Sequence, residues 1–153
     1  MNTAKLTWAE HEALMLMGRH GLSGWQFRFN RLKRRCGLCH FPVDGNPGVI
    51  ELSIYFVELN DEPDIRDTIL HEVAHALAGE RGDYHHGAIW KKMARLVGAK
   101  PTACSSQKRM PGAWQATCGG CGRTHTLFRK PTVLEHYCLA CGPVKGRVTF
   151  AKA

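Results

Sequence analysis

Apolar residues recur along this chain in two periods, and the changes of period mark its elements. Ala13, Leu14 and Met17 stand at helical spacing behind Thr7-Trp8-Ala9-Glu10, which has the form of a capping box. A first helix of about three turns is therefore predicted to run to His20, with Gly21 and Gly24 closing it. Trp25, Phe27 and Phe29 then alternate with Gln26, Arg28 and Asn30, the period of a half-buried strand. After Asn46-Pro47-Gly48 a second strand is predicted over 49–56, with Ile50, Leu52 and Ile54 on one face and Glu51, Ser53 and Tyr55 on the other. Asn60-Asp61-Glu62-Pro63-Asp64 supplies a cap, early acidic residues and a first-turn proline, and Ile65, Ile69, Val73 and Leu77 follow every four residues. This central helix is predicted to end near Gly79 or Gly82. Ile89, Trp90, Met93, Leu96 and Val97 mark a further helix stopped by Gly98, with Lys91, Lys92 and Arg95 on its wet face. Pro101 to Gly112 reads as a linker. The reading is an α+β fold, helices around a short sheet over residues 1–108, with a small second domain over 112–153.

Length and composition agree with that reading and narrow it. The chain has 153 residues, 44% of them hydrophobic and 22% charged, which excludes collagen-like, coiled-coil and wholly disordered classes. No apolar run is long enough to span a bilayer and the N-terminus lacks a secretory leader, so the expectation is a cytoplasmic monomer with no membrane partner. The net charge of +8 is unevenly placed: residues 1–83 carry nine Lys/Arg against twelve Asp/Glu, and residues 84–153 carry twelve against Glu135 alone. A segment so poor in acid suits a negative partner, nucleic acid being the commonest, over the alternative of a merely soluble basic surface.

His71-Glu72-Val73-Ala74-His75 falls on the central helix. Four residues at about 100° and 1.5 Å each bring His75 nearly above His71, so both imidazoles can reach one ion. Glu72 is rotated off that line, suited to take a proton from water and not to bind the metal. Five residues alone are a weak signal, the lesser alternative being a solvated glutamate between surface histidines. A catalytic zinc needs a third ligand and one open position. A later acidic ligand is nearly excluded, because no Asp or Glu occurs from Tyr84 to Leu134. Asp83 is a conceivable carboxylate ligand, yet His85-His86-Gly87 stands just beyond a glycine turn, where a histidine is well placed, and one of the two serves. Tyr84 is a candidate oxyanion donor by proximity alone, with ordinary packing the stronger reading.

Seven cysteines stand at 36, 39, 104, 118, 121, 138 and 141. In a reducing compartment C-x-x-C pairs point to metal and not to disulfides. Cys118 and Cys121 are followed, sixteen residues on, by Cys138 and Cys141, a spacing that closes a structural four-cysteine zinc site and gives the last forty-odd residues the means to fold. Around it Arg123, Arg129, Lys130, Lys145, Arg147 and Lys152 are interleaved with Trp114, Phe128, Tyr137 and Phe150, which could hold phosphates and stack unpaired bases or else cover the ribbon's own core. Cys36, Cys39, His40 and Cys104 offer the ligand types for a third metal, although such cysteines more often pack as small hydrophobes. Arg28, Arg31, Lys33, Arg34 and Arg35 form either a solvated strand end or a second nucleic-acid contact.

Taken together, the strand with Trp25, the strand ending Ile50-Glu51-Leu52-Ser53, the HEVAHAL helix at 71–77, the His-Gly-x-x-Trp element at 86–90 and the Cys-rich ribbon resemble the SprT-like metalloproteases, the family that includes Spartan. The resemblance covers residues 5–150. It implies a zincin-like minimal protease domain followed by a zinc ribbon, His86 as the third ligand beside His71 and His75, Glu72 as general base and then general acid, and two zinc ions, one catalytic and one structural. It also implies that proteins bound or crosslinked to DNA are the substrate and that DNA, single-stranded or structured, is activator and tether, with a nucleoid association if the source is prokaryotic. A substrate peptide is expected to lie extended along the strand at 49–56. The rival class is a non-proteolytic nucleic-acid-binding ribbon protein with a vestigial or structural metal in the helix site.

Overall fold

Asn2, and not the Thr7 box, starts the first helix. In the computed structural model, which describes residues 2–102, 107–133 and 135–153, α1 spans Thr3–Arg19, and the Asn2 side chain accepts from the Lys5 amide at 3.2 Å. The Thr7 hydroxyl donates to the Thr3 carbonyl at 3.1 Å, so Thr7 sits inside a helix that begins a turn earlier than predicted. The added turn places Leu6 against the core beside Ala9 and Ala13, burial that outweighs an alternative cap.

The chain divides into two compact units, residues 1–110 and 111–153. In the first, β1 (Gln26–Asn30), β2 (Gly37–His40) and β3 (Val49–Ser53) form one sheet in the order β1-β3-β2. β3 is parallel to β1 and antiparallel to β2. The strand predicted over 49–56 therefore ends at Ser53. Residues Ile54–Leu59 turn into a short helix, α2, in which Ile54, Phe56 and Val57 are buried. A run of consecutive apolar residues fits either period, and the Ser53 hydroxyl, donating to the Leu32 carbonyl at 2.7 Å, pins the chain where the strand stops. β3 also has a neighbour on each side, so no incoming peptide can pair with it. Among the described residues the outer strands of the sheet are β1 and β2, and the hydrophobic pattern did not reveal β2 because its four residues include Gly37 and His40.

α3 (Glu62–Gly79) begins at Asp61, whose carboxylate accepts from the Asp64 amide at 3.1 Å, with Pro63 in the first turn. It packs against α1, β2, β3 and α4 (Ala88–Val97), so that Ile65, Ile69, Val73, Ala76 and Trp90 share one core with Met17, Ile50 and Leu52. Of the predicted linker, residues 103–106 lie outside the described residues, Cys104 among them. The part that follows is anchored. Gln107 donates to the Thr68 hydroxyl at 2.8 Å, and Asn60 both accepts from the Lys108 amide and donates to its carbonyl, each at 2.8 Å.

The second unit is built from two small sheets. β4 (Trp114–Thr117) lies between β5 (Thr124–Leu127) and β8 (Ala151–Lys152), and β6 (His136–Tyr137) pairs with β7 (Arg147–Val148) after the short α5 (Gly142–Lys145). Its buried core is Ala116, Cys118, Cys138 and Val148, with Cys141 and Phe150 against it. Among the described residues no helix is long and apolar enough to cross a membrane.

Glu51 ties the first sheet together from its central strand. Its carboxylate accepts from Arg28 Nε at 2.5 Å and Asn30 Nδ2 at 2.8 Å on β1, with His40 of β2 at 3.5 Å. Burial alone would raise this carboxyl, but the Asn30 and Arg28 bonds outweigh it and hold it below the usual range. A lowered folded value means that the stability is present above the unfolded value of about 4.3 and is lost as pH falls through the folded one. Glu51→Ala should cost about 1–3 kcal/mol in urea unfolding at pH 7, a deficit that shrinks in the same measurement at pH 3.

Candidate metal centres and catalytic cleft

α3 carries His71 and His75 one turn apart, and the loop before α4 brings His86 to them. His86 Nε2 lies 3.0 Å from His75 Nε2 and 3.1 Å from His71 Nε2. Asp83 shapes that loop: its carboxylate accepts from the Trp90 amide at 3.0 Å and the His85 amide at 3.3 Å. A Cβ at Gly87 would fall 2.5 Å from Asp83 Oδ2, so the glycine is what lets the carboxylate approach. Asp83 is thereby occupied as a helix cap, and the Trp90, His85 and Gly87 amides hold it below the usual carboxylate range. His85 is exposed, and the potential metal-ligand group is His71, His75 and His86. Beneath the three imidazoles lies the fully buried Trp90 ring, 4.4–5.3 Å from them between centroids.

These donors fit a metal ion. Burial, then the neighbouring imidazoles, lowers His71 to about 4 and His75 to about 3, and His86 is lowered for the same first reason. All three are neutral near pH 7. Three neutral rings cannot satisfy one another through Nε2 atoms that all face a common point, whereas one cation accepts every lone pair. A tetrahedral zinc holds nitrogen ligands about 3.3 Å apart, close to the separations seen here.

Cys118, Cys121, Cys138 and Cys141 form the second group, with Cys121 Sγ 3.7 Å from Cys138 Sγ against about 3.8 Å for a tetrahedral zinc–thiolate site. The Cys121 amide, ahead of that of Gly120, draws the Cys118 thiol down to about 7. Cys141, facing the sulfurs of Cys121 and Cys118, is pushed up to about 12. Four sulfurs this close cannot all ionise without a cation, which is the chemistry of a closed metal site.

Cys36 and Cys39 belong to neither group. Burial raises both thiols, Cys39 to about 12, and Cys39 packs against the core. Of the basic ribbon residues, Arg123, Arg129, Lys130 and Lys145 are exposed, and Arg147 is paired with Glu135. Phe150 packs on the ribbon core, while Tyr137 is exposed.

With this geometry the comparison with protein families is direct: the model of the SprT-like family matches residues 7–110. The chain belongs to the SprT-like family. A search of curated proteins returns no match. The SprT-like match covers the histidine group and ends where the first compact unit ends.

Glu72 opens the SprT-like site to chemistry. It is buried beside the histidines, and burial pushes its carboxyl up to about 8 against a smaller opposing pull from Arg35. β2 passes directly over it: a Cβ at Gly37 would stand 2.8 Å from Glu72 Oε1, so only glycine leaves the carboxylate its place. The cleft has two lobes that share Arg35, Gly37, His71, Glu72 and His86. One, of about 280 Å³, is lined by Leu38, Phe41 and Tyr84, whose ring meets Phe41 edge-on at 4.9 Å. The other, of about 340 Å³, is lined by Arg34, Arg109 and Gln107. The arginines of this lobe and the edge strand β2 were not singled out for the cleft by sequence; the density of cations at 31–35 was the available signal.

Elemental analysis of the purified chain should find two zinc ions. His86→Ala should reduce the count to one with α-helical content kept, and Cys138→Ser should also reduce it to one while residues 111–153 become protease-sensitive.

Proposed function

We propose that this chain is a zinc-dependent endopeptidase. The observation that carries the reading is the convergence of three imidazole Nε2 atoms beside a buried carboxylate in an open cleft. His71, His75 and His86 would hold the ion, leaving one position open toward the cleft. When bound, zinc supplies a Lewis acid that polarises the scissile carbonyl and acidifies a water. Glu72 removes the water's proton at a carboxylate oxygen and delivers it to the leaving amine, and its dry surroundings raise its proton affinity toward the working pH. Trp90 keeps water from the far side of the imidazoles and fixes their orientation. The peptide lies along the free edge of β2, in place of the strand at 49–56, because Gly37 to His40 pass beside Glu72.

The second unit is the DNA tether in this reading. Support comes from the charge division and from the exposure of Arg123, Arg129, Lys130 and Lys145. Protein held on DNA, single-stranded or structured, is the substrate, and two weak sites in one monomer select it by effective concentration without a tight pocket.

Glu72→Gln should keep both ions and slow cleavage of an unfolded protein by about 10²–10⁴-fold. Parental rates in that variant, or intact DNA binding with no cleavage of any substrate, would replace the peptidase with a nucleic-acid-binding protein. Replacing Arg129, Lys130 and Lys145 with Ala should flatten the salt dependence of single-strand binding by about 0.7 in slope for each phosphate that is no longer neutralised. An unchanged slope would show that these residues do not touch DNA.

A further inference from the structure

The basic lobe of the cleft has a use that the peptidase reading leaves open. Arg34, Arg35 and Arg109 line it together with His71, Glu72 and His86, so three guanidinium groups border the space in which a substrate would be cut. The carboxylates in the same lining are Asp67 and Glu72. Asp67 is engaged, accepting from the Lys100 amide at 2.9 Å with Lys100 Nζ at 3.9 Å. Glu72 lies at the floor of the lobe, largely buried under Gly37. Among the described residues the lining thus carries three guanidinium groups against two carboxylates. Arg109 is held there by the anchored strap, since Gln107 and Lys108 are bonded to Thr68 and Asn60, and its guanidinium bonds the Cys36 thiol. Across Glu72, the second lobe is lined by Leu38, Phe41 and Tyr84.

We propose that the Arg34/Arg35/Arg109 lobe is a specificity subsite for an acidic side chain of the substrate, so that cleavage is directed to bonds with Asp or Glu on one side and an apolar residue on the other. This rests on the peptidase reading and names its substrate class. A carboxylate fits guanidinium geometry through paired N–H···O bonds. The alternative anion is a DNA phosphate. The position of the lobe argues against it: a space of about 340 Å³ opening on Glu72 and His86 must admit the peptide, and a nucleic-acid backbone seated there would block it.

The test uses the full zinc-loaded chain and decapeptides that differ at one position at a time, Glu, Gln or Lys, at each of the three positions on either side of the cleaved bond. At one position on one side, kcat/KM for Glu should exceed that for Gln by about tenfold and that for Lys by more, and the preference should shrink as salt rises. In Arg34→Gln/Arg109→Gln the Glu-to-Gln ratio should fall towards one, and in Arg34→Lys/Arg109→Lys it should partly return. The ratio is internal to each preparation, so partial loss of active protein does not move it. Anisotropy with the same labelled peptides on the Glu72→Gln protein should show the same order of affinity. Equal rates for Glu and Gln at every position, or a ratio that survives loss of both arginines, would overturn the subsite while leaving the peptidase intact. An Arg34- and Arg109-dependent preference in binding, with no cleavage by the parent, would sink the peptidase and leave the subsite. Displacement of the Glu peptide by a single-stranded oligonucleotide, abolished in the arginine variant, would assign the lobe to phosphate and refute the proposal.

Discussion

One constraint organises the first unit: a helix buried on nearly every side must also carry a polar row. α3 contributes Ile65, Ile69, Val73, Ala74, Ala76 and Ala78 to the core, and between them stand His71, Glu72 and His75. Removing imidazoles and a carboxyl from water disfavours their charged forms, which is why both histidines are lowered and Glu72 is raised. Buried and unpaired, such groups are costly; gathered around a cation, they become its ligands and base. The surrounding elements follow from this requirement. α4 brings Trp90 under the rings, the Asp83 cap delivers His86, and β2 crosses close enough that Gly37 can have no side chain.

The two metal groups meet that constraint in opposite ways. The histidine group sits in a unit with a large apolar core of its own, so packing positions its nitrogens and one face stays open to the cleft. The cysteine group is itself much of the core of its unit: among the described residues, Cys118 and Cys138 are buried with Ala116 and Val148, and Cys141 and Phe150 pack against them. So small an apolar cluster does little to offset the entropy of ordering some forty residues, and a metal held by the four thiolates would supply the difference. Openness of the histidine group and closure of the cysteine group are what a reactive and a structural metal would respectively require.

Much of this was legible in the sequence because the informative residues are close together in it. HEVAHAL places two donors and a base by helical geometry alone, and C-x-x-C pairs place four sulfurs by loop geometry alone. The elements that escaped depend on distant contacts. Thr7 has the form of a cap, yet burial of Leu6 and Ala9 moved the start of α1 to Asn2. Ile54 to Val57 suits a strand as well as a helix, and it was the anchoring of Ser53 on Leu32 that decided. β2 is short and carries Gly37 for a reason visible only in space, the carboxylate beneath it. The family resemblance pointed to His86 over His85, a choice that spacing left open, and the structure turns His86 and not His85 toward the other two rings.

Gly37 also shows why the cleft is built around backbone. The edge of β2 offers a peptide only N–H and C=O groups, which every residue can match, so it carries little preference of its own. In the proposed peptidase discrimination would come from what flanks the strand, and there the residues differ in kind, with Leu38, Phe41 and Tyr84 on one side and arginines on the other. One of those arginines belongs to the strap whose Lys108 backbone is bonded twice to Asn60 at the foot of α3. The segment that ends the first unit is therefore part of the wall of its cleft. In the proposed peptidase, substrate recognition would rest on this strap and on β2, and metal binding on α3 and the loop before α4.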